Sequence, residues 1–278
     1  MERTGSHLRG IEATSRLFSG ALHALETVSV DVLAGVVGSS LFLVSLVSPV
    51  HSLPPGLWAL GAAVLAVYNL DHLLDASQTD PDSTARRRRY ADHRGILATV
   101  FVCAVIAGLV SALSLPGEVW MAGSSVAAYQ ALYFVGLRFG LRGTAKRLMA
   151  TVGWAAGIAI PAWCAAPTSA RTEIVVGAGL LSLLGWINLQ SYALVDASAE
   201  ADRGHMPGLV LRATAISIAG VGLVGASLAF PEHAGRWAAL GGVALVQFFL
   251  VKLPSDYVHP VGEWSIALLG LFILAPMT

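Results

Sequence analysis

Charge is what this sequence has least of. Only 12% of its 278 residues are Asp, Glu, Lys or Arg, against roughly 25% in ordinary soluble domains. Hydrophobic residues make up 55% and the mean hydropathy is +0.69, which reads as an integral membrane protein. The 17 basic and 17 acidic residues balance, and the absence of a basic excess argues against a nucleic-acid partner. Cysteine is nearly missing too: Cys103 and Cys164 are the only two. Both fall inside apolar runs, so no disulfide framework or cysteine zinc site is expected. The 29 glycines follow no collagen-like period and suit close helix packing in lipid. Residues 1–27 lack the apolar core of a cleavable signal, being interrupted by Glu2, Arg3, Arg9, Glu12, Arg16 and Glu26. Leu8, Ile11, Leu17, Phe18, Leu22 and Leu25 instead recur at roughly helical spacing, as in a surface helix of a cytoplasmic leader.

What is abundant is long apolar sequence. Runs able to cross a bilayer, which takes about 20 residues, occur near 28–47, 56–74, 96–115, 118–137, 148–166, 173–194, 208–230, 235–251 and 261–277. Turn residues punctuate them: Pro54-Pro55-Gly56, Pro116-Gly117, Pro167, Pro207-Gly208, Pro231 and Pro254. The expectation is an all-α membrane protein, with residues 28–278 forming one domain of nine transmembrane helices.

Basic residues are retained on the cytoplasmic side of a membrane, and here they sort strongly. With nine spans, Arg3, Arg9, Arg16, Arg86 to Arg89, Arg94, Arg138, Arg142, Lys146, Arg147, Arg203, Arg212 and Lys252 share one face. Arg171 and Arg236 alone remain for the other. This places the N-terminus in the cytoplasm. The run Arg86 to Arg89 reads most simply as an anchor for anionic membrane lipids.

The same face receives two acidic segments at the ends of apolar runs. The first is Tyr68-Asn69-Leu70-Asp71-His72-Leu73-Leu74-Asp75; the second carries Asn188, Tyr192, Asp196, Glu200 and Asp202. Asp71 and Asp75, like Asp196 and Glu200, stand four residues apart, so each pair lies on one helix face. Carboxylates at the rim of a span are costly and usually functional. Hard oxygen ligands of this kind suit Mg²⁺, which keeps waters and binds through a few carboxylates together with substrate phosphates. Asp71, Asp75 and Asp196 are the expected catalytic carboxylates, with Glu200 and Asp202 as further metal ligands. Arg138, Arg142, Lys146 and Arg147, with Arg94, are the cations that could grip a diphosphate. Asn69 and Asn188, before the two acid pairs, are candidates for the same contact. Tyr133, Tyr192 and Asp31 could border a substrate pocket.

This arrangement resembles the UbiA family of intramembrane prenyltransferases. The resemblance rests on Asn69 to Asp75, on Tyr192 to Asp196 with Glu200 and Asp202, and on the stretch from Leu132-Tyr133-Phe134 to Lys146-Arg147. It implies a nine-helix UbiA-like bundle in a bacterial cytoplasmic membrane. It also implies Mg²⁺ as cofactor, a prenyl diphosphate and a small lipophilic acceptor as partners, and a site facing the cytoplasm. In the family's first motif Asn stands four residues before the first key Asp; here Asn69 precedes Asp71 by two. A terpene cyclase of the same fold therefore stays open as a second reading, and a non-enzymatic transporter or lipid-binding protein as a third.

Overall fold

A computed structural model describes residues 24–47, 53–54, 56–77, 85–200, 205–250 and 255–274. The described chain is helical, with no strand among the described residues. After a helical stretch at 24–27, ten α-helices follow one another among the described residues: α1 Val30–Ser45, α2 Leu57–Ala76, α3 Ala85–Asp92, α4 Arg94–Ala112, α5 Gly117–Arg138, α6 Gly143–Ala165, α7 Arg171–Glu200, α8 His205–Ala229, α9 Ala234–Phe249 and α10 Ser255–Leu274. Single 3₁₀ turns, Thr168–Ala170 and Pro231–His233, lead into α7 and α9. Most of the proposed leader, residues 1–23, lies outside the described residues.

Each of the nine apolar runs falls on a helix, but length and hydropathy mark fewer of them as crossings than expected. Four helices pass as single spans: Leu57–Ala76, Arg94–Ala112, Gly143–Ala165 and Thr168–Tyr192. Ile216–Ala229 and Pro231–Phe249 would make a fifth as one broken span, bent by 114°. Two others fall short for visible reasons: α1 has 16 residues, and α5 is diluted by Ser124, Ser125, Tyr129 and Gln130. The expected loop at 85–92 is also helical. Ala and Arg are good helix formers, and Tyr90 stacks on His72 of α2 at 4.0 Å.

α1 is the axis of the bundle, packed against α2, α6, α7 and α10. One buried cluster joins Phe42 and Leu43 of α1, Ile158 of α6, Leu181 and Leu184 of α7, Trp237 and Leu240 of α9 and Ile266 of α10. Phe42 meets Trp237 edge to face, with ring centroids 5.6 Å apart. Outside this core the apolar residues point away from the protein: Ile106, Leu109 and Val110 on α4, Val221 and Leu228 on α8, and Leu245 on α9 are all exposed. Patches of this size are not tolerated in water and are the expected lipid-facing surface of a membrane bundle. α2 and α4 pack beside each other and, with α1, line a half-open cavity of about 600 Å³. Its lining is apolar and includes Leu33, Trp58, Leu65, Cys103 and Ala107.

The tightest crossing joins the first and last of these helices. A Cβ on Gly38 would lie 2.8 Å from the Ala267 carbonyl oxygen, and one on Gly270 would lie 2.7 Å from the Gly38 Cα. The opposing atoms are backbone, so they cannot swing aside. Small residues permit this approach in lipid, where close packing replaces the hydrophobic effect between helices. Gly38→Leu should therefore destabilise the protein by about 1–3 kcal/mol, read as a lower melting temperature in detergent. Gly241→Ala, where a Cβ meets nothing within 4 Å, should melt like the parent.

Candidate functional site

The polar chemistry gathers at the two ends of the bundle. At one end the chain enters α1 through Ser29, a buried residue in the left-handed conformation at φ 62°. Its hydroxyl lies 3.4 Å from His72 Nδ1. One turn from there the Asn69 amide donates to the Val28 carbonyl at 3.3 Å and to the Leu65 carbonyl at 2.8 Å. These contacts pin the start of α1 to the end of α2, the segment that carries Asp71 and Asp75. Arg89 of α3 closes over the same end, 3.3 Å from the buried Glu26 carboxylate.

Asp71 and Asp75 are half-buried and one helical turn apart on α2. The start of α6 brings Lys146 to them, its Nζ 3.9 Å from Asp71 Oδ1. Both side chains are between a quarter and a third exposed, so the pair is open enough to be split by a ligand. The buried Tyr133 of α5 lies within electrostatic reach of Tyr68, Asp71 and Asp75. Arg147 is half-buried next to Lys146, and its Nε is buried without a hydrogen-bond partner. Arg94, Arg138 and Arg142 are exposed. The donor set is thus two hard carboxylates beside an ammonium, which fits a divalent cation bridged to a phosphate oxyanion.

The second acidic segment is only partly described. α7 runs through Glu200, beyond the end near 194 expected from its apolar run, because Ala and Glu continue a helix without hydrophobic help. The side chains of Asp196 and Glu200, and all of Asp202, lie outside the described residues. What precedes them is clear. Asn188 Nδ2 donates to Glu263 Oε1 of α10 at 3.0 Å, and the Tyr192 hydroxyl donates to the same oxygen at 3.1 Å. Gly262 makes room, since a Cβ there would lie 2.3 Å from Asn188 Oδ1. The buried Asp31 of α1 acts electrostatically on Tyr192. The start of α1 is thus bonded to α2 through Asn69 and lies within electrostatic reach of Tyr192 on α7.

The expected site residues have further partners in this geometry. Asn69, expected at a diphosphate, donates its amide hydrogens to two backbone carbonyls, while its Oδ1 is buried without a hydrogen-bond partner. Asn188, expected there too, donates to Glu263. Tyr133, Tyr192 and Asp31, expected to border a pocket, are not among the residues lining the cavity beside α2; Tyr133 and Tyr192 face the polar groups named above. Glu263 went unread in the sequence. Its only signal is that it is the one carboxylate within the last apolar run, too few charges to break the hydropathy.

The chain matches no family model, and no curated protein and no solved structure matches it.

Replacing Glu263 tests how far this end depends on its carboxylate. Glu263→Leu leaves two buried donors without an acceptor, at about 1–3 kcal/mol each, and should lower the melting temperature by several degrees. Glu263→Gln keeps an oxygen acceptor and should retain most of the stability.

Proposed function

We propose that the protein is a Mg²⁺-dependent intramembrane prenyltransferase. The observation that carries the reading is the contact of Lys146 with Asp71, a phosphate-type cation set against a carboxylate pair at the rim of an apolar bundle. A diphosphate needs both partners: an ammonium for its free oxygens and carboxylates to hold the metal that bridges them. The lipid half of the substrate has a place close by. The apolar cavity follows α2 from Leu57 to Leu65, about 12 Å of helix, and Leu65 precedes Asp71 by about 9 Å along the same axis. Its volume is within the range of small-molecule sites.

In this proposal Mg²⁺ is held by Asp71 and Asp75 with Asp196, Glu200 and Asp202, and when bound it neutralises charge on the diphosphate leaving group. Lys146, with Arg147 behind it, orients that group. The C1–O bond of the prenyl diphosphate breaks, the electron pair departs with diphosphate, and the allylic cation is captured by a nucleophile of a small lipophilic acceptor, which then loses a proton. The nine-span topology, with the N-terminus and this site in the cytoplasm of a bacterium, belongs to the same proposal. It is supported by the meeting of Glu26 with Arg89 and Asp71 with Lys146 at a single end of the bundle.

Purified full-length protein with geranyl, farnesyl or geranylgeranyl diphosphate should release diphosphate only when Mg²⁺ is present. Asp71→Ala and Asp196→Ala should abolish release, and Lys146→Ala should lower it by about 10- to 100-fold. Release that is unchanged in Asp71→Ala would sink the site. A cyclic hydrocarbon formed without any acceptor would reassign the reaction to cyclisation.

A further inference from the structure

The opposite end of the bundle holds a second cluster that the proposed reaction does not use. Glu173 sits in the first turn of α7 and is 5% exposed. The 3₁₀ turn Pro231–His233, which joins α8 to α9 at their sharp bend, brings Glu232 and His233 to it. His233 Nδ1 lies 2.5 Å from Glu173 Oε1, and one ligand atom from each of Glu173, Glu232 and His233 falls within 4.8 Å of the others. The turn is stiff. The His233 amide donates to the Phe230 carbonyl at 3.1 Å, and the Phe230 ring rests against the buried Trp237.

We propose that Glu173, Glu232 and His233 form a binding site for a divalent transition-metal ion of the zinc class. Imidazole with two carboxylates is a donor set that such ions take, three protein ligands leaving a fourth position to water. Around a tetrahedral ion the ligand atoms stand about 3.3 Å apart, given metal–ligand bonds of about 2.0–2.1 Å. Glu173 and His233 would part slightly to reach that spacing, and Glu232 would close in. Glu232 is exposed and can do so by side-chain rotation.

A plain ion pair accounts for less of the geometry. His233 would satisfy Glu173 alone, yet Glu232 is brought beside it, and like carboxylates in a partly buried place repel. The charged groups acting on Glu173 are His233, Glu232 and Arg236. Arg236 already donates to the Ser45 carbonyl of α1 and balances one carboxylate. Among the described residues, two carboxylates and an imidazole thus gather around the single cationic side chain Arg236, which leaves donor atoms for a bound cation. The site is also remote from the proposed chemistry. Glu173 and Asp196 are at opposite ends of α7, about 35 Å apart, which is the thickness of a bilayer core and more.

The test uses full-length protein stripped with a chelator, exchanged into metal-free detergent buffer and titrated with Zn²⁺ by calorimetry, with Co²⁺ as the spectroscopic probe. One equivalent of Zn²⁺ should bind in the parent, and Co²⁺ should give the visible absorption of a four-coordinate site. Glu232→Ala, at an exposed position, and His233→Ala should each weaken that equivalent by at least about 10-fold, while Asp71→Ala should leave it intact. Absence of the equivalent in the folded parent overturns the proposal, and so does an unchanged affinity in Glu232→Ala. Loss in Asp71→Ala with retention in Glu232→Ala would assign the ion to the other end of the bundle.

Discussion

The bond between the Asn69 amide and the Val28 carbonyl fixes where everything else at the acidic end can be. Val28 lies in the turn before α1, outside the hydrogen-bond ladder of that helix, and in an apolar surrounding an unmet carbonyl costs several kcal/mol. Asn69 meets it from α2, and Ser29 and His72 add a second tie beside it. Asp71 and Asp75 then have a defined height against α1, because they share a helix with the residue that makes the bond. Tyr192 and Asp31 set α7 against the same turn. The bundle thus has one polar seam at this end, and the candidate site is assembled around it.

The two ends of the protein solve different electrostatic problems. At the acidic end Asp71 and Lys146 are part exposed and paired loosely, an arrangement that leaves each able to exchange the other for a ligand, while Glu26 and Asp31 beside them are buried. At the far end the charges are tighter and deeper, with Glu173 held by His233 and Arg236 reaching the last turn of α1. Between them lies the apolar cluster of Phe42, Ile158, Leu184, Trp237 and Ile266, where no charged side chain among the described residues is buried although hydroxyls such as those of Ser39 and Ser40 are. Such a partition keeps ions and water to the rims and reserves the middle for apolar surface, including the cavity along α2.

Helices were legible in the sequence to within a few residues wherever Pro or Gly marked a turn, as at Pro116-Gly117, which ends one run and opens α5. Hydropathy failed in the polar stretches. α3 has no apolar run to announce it and is helical through its Ala and Arg content and the stacking of Tyr90 on His72. α7 outlasts its apolar face by a turn and a half for the same reason. The site was legible as far as residue type and spacing carry: Asp71 and Asp75 share a face, and Lys146 stands beside them. What could not be read was partnership across the chain. Asn69 also ties α2 to the start of α1, which its spacing did not announce, and Glu263 was hidden by its apolar neighbours. The meeting of Glu173 with His233 depends on a bend between α8 and α9 that no local pattern encodes.

The contact of Gly38 with Gly270 has a consequence for how the protein is made. Its two halves come from opposite ends of the sequence, so ribosomes working at about 5–20 residues per second leave α1 waiting roughly 10–45 s for α10. During that time the glycine face of α1 is open to lipid or to any helix with small residues. Formation of this contact is then a late, long-range event of the kind that slows folding, and the membrane must hold the other helices in register until it happens.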